Sequence, residues 1–176
     1  MKTSYEVANE ITQLAPNEVF IMGSNSKGFH GAGSAGLAMR GDSRNNWRED
    51  QGFLLAMQSS KGSNQRIGKW AVYGIARGHQ VGREGQSYAI QTIERPGIKR
   101  STTLSAIEEQ LVDLLSYANK NQDLVFIMTP VGCGYSGYSV EEMRNVWENA
   151  TKKFGSMPSN IRNPHPYGNE PKPSET

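Results

Sequence analysis

Two glycine-rich segments, each directly behind a run of apolar residues, constrain this chain most. The first run ends at Met22 and leads through Gly23-Ser24-Asn25 to a glycine cluster at residues 31–36. The second ends at Met128 and leads into residues 129–138, which hold three glycines. A short, continuously apolar run is typical of a strand buried on both faces, and a glycine loop between strand and helix presents backbone N–H groups to an anion. Together the two loops predict one site for a diphosphate-sized ligand.

The chain alternates strand-like and helix-like segments. Strands are predicted over residues 19–22, 69–73, 87–92, 124–128 and 159–162. Helices are predicted over residues 3–15, 31–39, 103–118 and 139–153. The polar, glycine-rich segment 74–86 is predicted to be a mobile loop. This alternation predicts the α/β class, as a three-layer α/β/α sandwich whose mixed, largely parallel sheet carries helices on both faces.

One domain is expected to span residues 1–162, because a chain of 176 residues is long enough for a single well-packed core. Residues 163–176 hold four of the eight prolines and almost no apolar side chains. This composition predicts an extended or disordered C-terminal tail.

Composition excludes several kinds of protein. The single cysteine, Cys133, allows no intrachain disulfide, and the three histidines, at positions 30, 79 and 165, are too scattered for a metal motif. No segment approaches the ~20 apolar residues that a membrane span needs. The formal charge of +2 is too small to indicate a nucleic-acid or membrane partner. We therefore expect a cytoplasmic protein without a metal or another cofactor.

Two familiar nucleotide-binding motifs fit the sequence poorly. Gly31, Gly33 and Gly36 satisfy the G-x-G-x-x-G pattern of dinucleotide-binding proteins. Eight residues, 23–30, separate the apolar run from Gly31, however, whereas that pattern requires the tight turn directly behind the strand. The G-x-x-x-x-G-K-[ST] pattern of P-loop proteins does not occur. The loops therefore favour a different kind of phosphate site.

Taken together, the two loops resemble those of macro domains, in particular the short, divergent macro-like proteins of bacteria and their phages. Gly23-Ser24-Asn25 resembles the Asn-bearing strand end of that family, and residues 31–36 resemble its glycine-rich helix start. Residues 131–137, here called the second glycine loop, resemble the segment that wraps the diphosphate. The likeness covers roughly residues 18–164. It implies an α/β/α sandwich that binds ADP-ribose or a derivative and sometimes hydrolyses ADP-ribosyl bonds.

The resemblance also implies the residues of the site. Those implied to bind the ligand are Gly23, Ser24, Gly31, Ala32, Gly33, Ser34, Val131, Gly132, Cys133, Gly134, Tyr135, Ser136 and Gly137. Backbone N–H groups near residues 32–34 and 132–136 would hold the phosphates, and Tyr135 would cover the distal ribose. Asn25 would orient that ribose or the attacking water. His30 titrates near neutral pH and is the candidate acid or base, although a hydrogen bond that orders the loop explains it equally well.

Cys133 is not expected to be a nucleophile, because no histidine or aspartate lies near it in the sequence to activate the thiol. A small residue suits a tight loop. Residues 13–18 hold no counterpart of the aspartate that reads adenine in many macro domains.

Three functions stay open at this point. The first is hydrolysis at the distal ribose, either of ADP-ribosyl bonds or of ADP-ribose-1″-phosphate. The second is a reader or scavenger that binds a nucleotide metabolite without turnover. The third is nucleic-acid binding by the basic residues between Arg40 and Arg100. The expected partner is an ADP-ribose-like small molecule, free or attached to a protein or nucleic acid, in the cytoplasm of a bacterium or of a phage-infected host.

Overall fold

Five strands and two helices make up the part of the chain that the structure describes. The computed structural model describes residues 15, 17–26, 74–77, 86–95, 97–134 and 136–168, with only the backbone at 74–77, 86 and 87. The strands are β1 (Glu18–Asn25), β2 (Gly74–Arg77), β3 (Gln86–Ile93), β4 (Val125–Ile127) and β5 (Ile161–Arg162). The helices are α1 (Leu104–Lys120) and α2 (Val140–Phe154).

The strands form one sheet in the order β2-β3-β1-β4-β5. Strand β1 pairs in parallel with β3 and β4, and β4 pairs in parallel with β5, whereas β2 runs antiparallel to β3. Val19 and Ile21 of β1 pack into the core beneath α1 and α2, and Phe20 and Met22 are fully buried on the opposite face. Both faces of the central strand are therefore covered, and the predicted α/β class with a mixed, largely parallel sheet is confirmed.

Both helices lie where the sequence predicts them, although α1 continues two residues beyond its predicted end at Ala118. The Thr103 hydroxyl caps α1 by accepting from the backbone N–H of Ala106 at 3.1 Å. Ser139 and Glu142 form the predicted capping box of α2, and Gly155 ends that helix in the left-handed conformation with φ 102°. Because α1 joins β3 to β4, it crosses β1, which lies between them, and its apolar face closes over the central strand.

Asn160 fastens the end of α1 to the sheet. Its side-chain amide donates to the carbonyls of Ala118, Asn121 and Leu124 at 2.9 to 3.0 Å. These carbonyls precede β4, and Asn160 itself precedes β5, so the linkage lies at the amino ends of both strands. The elements that follow β1 and β4 therefore leave the sheet at its other end.

Strand β2 corrects the prediction of a loop over residues 74–86. Its residues pair with β3 from Gly74 opposite Ala89 to Arg77 opposite Gln86. Strand β2 carries only two apolar residues, Ile75 and Ala76, and they are adjacent. Its own pattern is too weak to indicate a strand, and pairing with β3 decides the conformation. The strand predicted at 69–73 and the helices predicted at 3–15 and 31–39 lie outside the described residues, apart from residue 15.

The chain packs on α2 as far as Gly168, six residues beyond the predicted end of the domain at Arg162. The Tyr167 ring is 1% exposed, and its hydroxyl donates to the carbonyl of Val131 at 2.8 Å. The indole of Trp147 donates to the carbonyl of Pro164 at 2.9 Å, and Arg144 donates to that of Tyr167. A single aromatic residue thus anchors a segment whose proline content alone indicates disorder. Neither α1 nor α2, the helices of the described part, is long and apolar enough to cross a membrane.

Candidate functional site

The carboxyl ends of β1 and β4 mark the position where a sheet with this strand order forms its binding crevice. The pairing of these strands ends at Phe20 opposite Ile127, whereas β1 stays paired with β3 as far as Asn25 opposite Ile93. The chain leaves β1 for strands on one side of the sheet, β2 and β3, and leaves β4 for β5 on the other. Open α/β sheets bind ligands where neighbouring strands send their connections in opposite directions. Both predicted glycine loops begin at this point.

Thr129 holds the start of the second glycine loop against β1. Its hydroxyl, fully buried, donates to the carbonyl of Ile21 at 2.8 Å, beyond the last paired residues of the two strands. Buried backbone groups need a partner, and the next residue, Pro130, has no N–H to offer. The threonine hydroxyl takes the place of a ladder hydrogen bond and fixes where the loop leaves the sheet.

Two glycines of this loop are required by the fold. Gly132 has φ +88°, and a Cβ placed there would lie 2.7 Å from the sulfur of Met143 on α2. Gly137 has φ +87°, and its Cβ would lie 2.9 Å from the Cβ of Lys99. Residues with a side chain rarely adopt this backbone conformation, and both positions also lack room for one.

Gly134 differs from these two glycines. It is exposed, its φ lies outside the left-handed region, and a Cβ there would meet no atom of the described residues within 4 Å. Neither the backbone conformation nor neighbouring atoms of the described part of the chain require glycine at this position. A bare backbone at an open loop position allows close approach by a molecule from outside.

The loop also carries backbone donors that bind no other residue of the described part of the chain. Within the described part of the chain, the N–H groups of residues 132, 133, 134 and 136 donate to no other residue. The loop is nevertheless ordered by its own bonds, from the Gly137 N–H to the Gly134 carbonyl at 3.0 Å and from the Tyr138 N–H to the Gly132 carbonyl at 3.2 Å. The Ser136 hydroxyl, almost fully buried, also donates to the Gly132 carbonyl. An ordered loop with several unpaired N–H groups is suited to bind an anion.

The first strand end is held mainly by β3. A Cβ at Gly23 would lie 3.2 Å from the Thr92 hydroxyl, which itself donates to the carbonyl of Ser24 at 3.4 Å. Ser24 is buried and Asn25 is half-buried, and the register of β1 against β3 shifts between them. The backbone N–H of Ser26 then donates to the carbonyl of Ile93 at 2.9 Å. The close approach of β3 therefore explains why position 23 is a glycine.

The structure brings some of the predicted site residues together. Two groups of them lie at the carboxyl ends of the neighbouring strands β1 and β4. They are residues 23–25 and the described residues of the second glycine loop, 131–134, 136 and 137. His30, residues 31–34 and Tyr135 lie outside the described residues. In the part of the chain described, no cluster of three or more histidine, cysteine or acidic side chains could hold a metal ion.

Arg100 and Glu142 form an ion pair beside the loop that the sequence does not predict. The guanidinium makes two hydrogen bonds to the Glu142 carboxylate, at 2.9 and 2.8 Å, and lies 5.0 Å from the centre of the Tyr138 ring. These bonds raise the pKa of Arg100 and lower the pKa of Glu142. The capping motif identifies Glu142 as a helix cap, but no local signal joins it to an arginine 42 residues earlier.

The Cys133 thiol is unsuited to nucleophilic attack near neutral pH. The residue is half-buried, and its burial raises the pKa of the thiol to about 11. At pH 7 almost all of the thiol is therefore protonated, whereas the thiolate is the attacking species. This agrees with the expectation that Cys133 is a small loop residue.

We expect the folded protein to react with iodoacetamide at pH 8 about tenfold more slowly than the urea-unfolded chain. The raised pKa lowers the concentration of thiolate at pH 8 roughly a hundredfold. A more basic thiolate is also a stronger nucleophile, and this recovers roughly tenfold of the lost rate. Mass spectrometry of the Cys133 peptide over time gives both rates. Equal rates in the two states would show that burial does not hold back the thiol.

Similarity to solved structures confirms the macro-domain resemblance at the level of the fold. The macrodomain of Mycobacterium tuberculosis DarG matches with a TM-score of 0.52 and 16% identity, over 84% of this chain and 89% of that one. The Oceanobacillus iheyensis macrodomain with MES bound matches with a TM-score of 0.46 and 18% identity, over 82% and 72%. No protein-family model matches the sequence, and no curated protein is significantly similar to it. A likeness at this identity shows a shared fold.

Proposed function

We propose that this chain, which has the fold of a macrodomain, binds ADP-ribose or a related nucleotide derivative in the crevice between β1 and β4. One observation carries the proposal: at that crevice, the second glycine loop holds four backbone N–H groups that donate to no other described residue. The fold is shared with the DarG macrodomain, and the loop would supply the chemistry that a diphosphate needs.

Backbone N–H groups recognise phosphate through hydrogen bonds and fixed dipoles, without a charged side chain. The exposed Gly134 leaves the loop backbone open to a phosphate oxygen, since no Cβ stands in front of it. The following helix α2 directs the positive end of its dipole toward the same side of the sheet, which favours an anion there. The paired loops thus suit a diphosphate better than a single neutral ligand.

Turnover would take place at the distal ribose. In that mechanism Asn25 orients the ribose or the attacking water, and His30 transfers the proton. The raised pKa of Cys133 argues against a covalent intermediate on its sulfur. A reader or scavenger would use the same loops and bind the nucleotide without consuming it. Nucleic-acid binding is less well supported, because Arg100 of the proposed basic region is committed to Glu142.

Calorimetric titration of the purified protein with ADP-ribose is expected to show binding about tenfold or more tighter than AMP, a difference of about 1.4 kcal/mol. AMP lacks the second phosphate and the distal ribose that the loops are proposed to hold. NAD serves as a second control, because it carries the diphosphate with nicotinamide attached to the distal ribose. A folded protein that binds none of the three would overturn the proposal.

Turnover separates the hydrolase from the reader. The hydrolase consumes an ADP-ribosylated substrate, and its Asn25→Ala variant loses turnover; unchanged turnover in that variant would exclude the proposed role of Asn25. A protein that binds ADP-ribose and leaves every such substrate intact is a reader or scavenger.

A further inference from the structure

The segment of residues 97–102 is attached to the second glycine loop at three points. The Arg100 N–H donates to the carbonyl of Ser136 at 2.6 Å, and the hydroxyl of Tyr138, just behind the loop, donates to the carbonyl of Thr102 at 2.6 Å. The Cβ of Lys99 lies directly over Gly137. The conformation of the loop therefore depends on where this segment lies.

The segment is itself held from two sides. The Thr102 hydroxyl donates to the side-chain oxygen of Gln91 on β3. On the other side, the Arg100 guanidinium binds both carboxylate oxygens of Glu142, which also caps α2 through the N–H of Ser139 at 3.1 Å. Arg100 has φ 57°, a left-handed conformation that is unfavourable for a residue with a side chain. Such a backbone persists only where its surroundings fix it.

We infer that Arg100 and Glu142 are positioning residues that keep the second glycine loop in its ligand-binding shape. This inference rests on the proposed function. The two side chains do not bind the ligand: both terminal guanidinium nitrogens are engaged by Glu142, and the link to the loop passes through the Arg100 backbone N–H. Their effect on ligand affinity is therefore indirect. Because it depends on the intact pair, loss of either side chain lowers the affinity to the same extent.

The test uses Arg100→Gln, Glu142→Gln and the double variant. Glutamine also completes a capping box, so Glu142→Gln removes the charge of the pair while keeping the helix cap. Each single variant is expected to bind ADP-ribose about tenfold more weakly, and the double variant no more weakly than either, because neighbouring residues that act as one unit are not additive. Glu108→Gln is the matched control. Glu108 pairs with Lys153 between α1 and α2, and neither residue has a described contact with the second glycine loop. This variant is expected to change neither the affinity for ADP-ribose nor the conformation of the loop.

Amide hydrogen exchange of the ligand-free protein gives a second readout. The N–H groups of Gly137 and Tyr138, which bond within the loop, are expected to exchange about tenfold faster in both single variants and at the wild-type rate in Glu108→Gln. Unchanged exchange would overturn the positioning role, whether or not ADP-ribose is the ligand. If wild-type protein fails to bind ADP-ribose, the proposed function fails, while the exchange result still decides whether the pair holds the loop.

A direct contact between Arg100 and the ligand gives a different pattern. Removing the Glu142 charge would then free the guanidinium for phosphate, so Glu142→Gln would bind as tightly as wild type or more tightly, while Arg100→Gln would bind more weakly. That divergence between the two variants would also overturn the inference.

Discussion

A chain that ends after Arg162 is expected to be less stable by about 4 kcal/mol or more than one that ends after Gly168, since removing a buried aromatic side chain alone costs about 3–5 kcal/mol. The shorter chain lacks Tyr167, whose ring is 1% exposed within the core. It also leaves the Trp147 indole without its acceptor at Pro164. With a typical total stability of about 5–15 kcal/mol, such a loss brings a protein close to unfolding. Guanidinium denaturation of both chains measures the difference.

Tyr167→Phe in the chain that ends after Gly168 isolates one part of this effect. It keeps the ring but leaves the buried carbonyl of Val131 without its donor, at a cost of about 1–2 kcal/mol. Equal denaturation midpoints for the two chain lengths would contradict the role assigned to residues 163–168 and restore the boundary predicted from composition.

Gly134→Glu is expected to weaken ADP-ribose binding about a hundredfold, or about 2.7 kcal/mol, with little change in the stability of the fold. A Cβ at this position meets no atom of the described residues within 4 Å, so the described part of the chain leaves room for the side chain. Exposed substitutions of this kind usually stay within about 0.5 kcal/mol. The carboxylate would occupy the approach to the loop donors and repel the phosphates. Calorimetry with ADP-ribose and a thermal melt of the same sample test both halves of the prediction.

Gly132→Ala is the opposite control within the same loop. Its φ of +88° and the sulfur of Met143 at 2.7 Å from the new Cβ are expected to cost about 3 kcal/mol of stability. Gly134→Glu thus separates binding from folding, whereas Gly132→Ala damages folding first. If Gly134→Glu leaves the affinity for ADP-ribose unchanged, the second glycine loop is not the phosphate site.

The elements with strong local signals could be predicted from the sequence. The continuous apolar runs around Val19 and Phe126 indicate strands buried on both faces, and the caps at Thr103, Ser139 and Gly155 mark the helix ends. Each of these signals involves residues only a few positions apart, so the elements can be predicted without knowledge of tertiary contacts. The order of the strands around β1 then places residues 23–25 and the second glycine loop at the same end of the sheet.

The features that escaped prediction depend on contacts between distant parts of the chain. Strand β2 exists because β3 offers it an edge, and the pairing of Arg100 with Glu142 joins residues 42 positions apart. Tyr167 is buried against a loop 36 positions earlier. The prolines around Tyr167 indicate a disordered segment by composition. The segment is instead packed because the Tyr167 ring is buried in the core. No periodicity in the sequence encodes such pairings.

The threefold hydrogen bonding of the Asn160 amide has a consequence for how this protein could diverge. It joins α1, β4 and β5 at the end of the strands remote from the crevice, where changes in the loops do not reach it. Residues around the crevice can then change while the opposite end continues to specify the architecture.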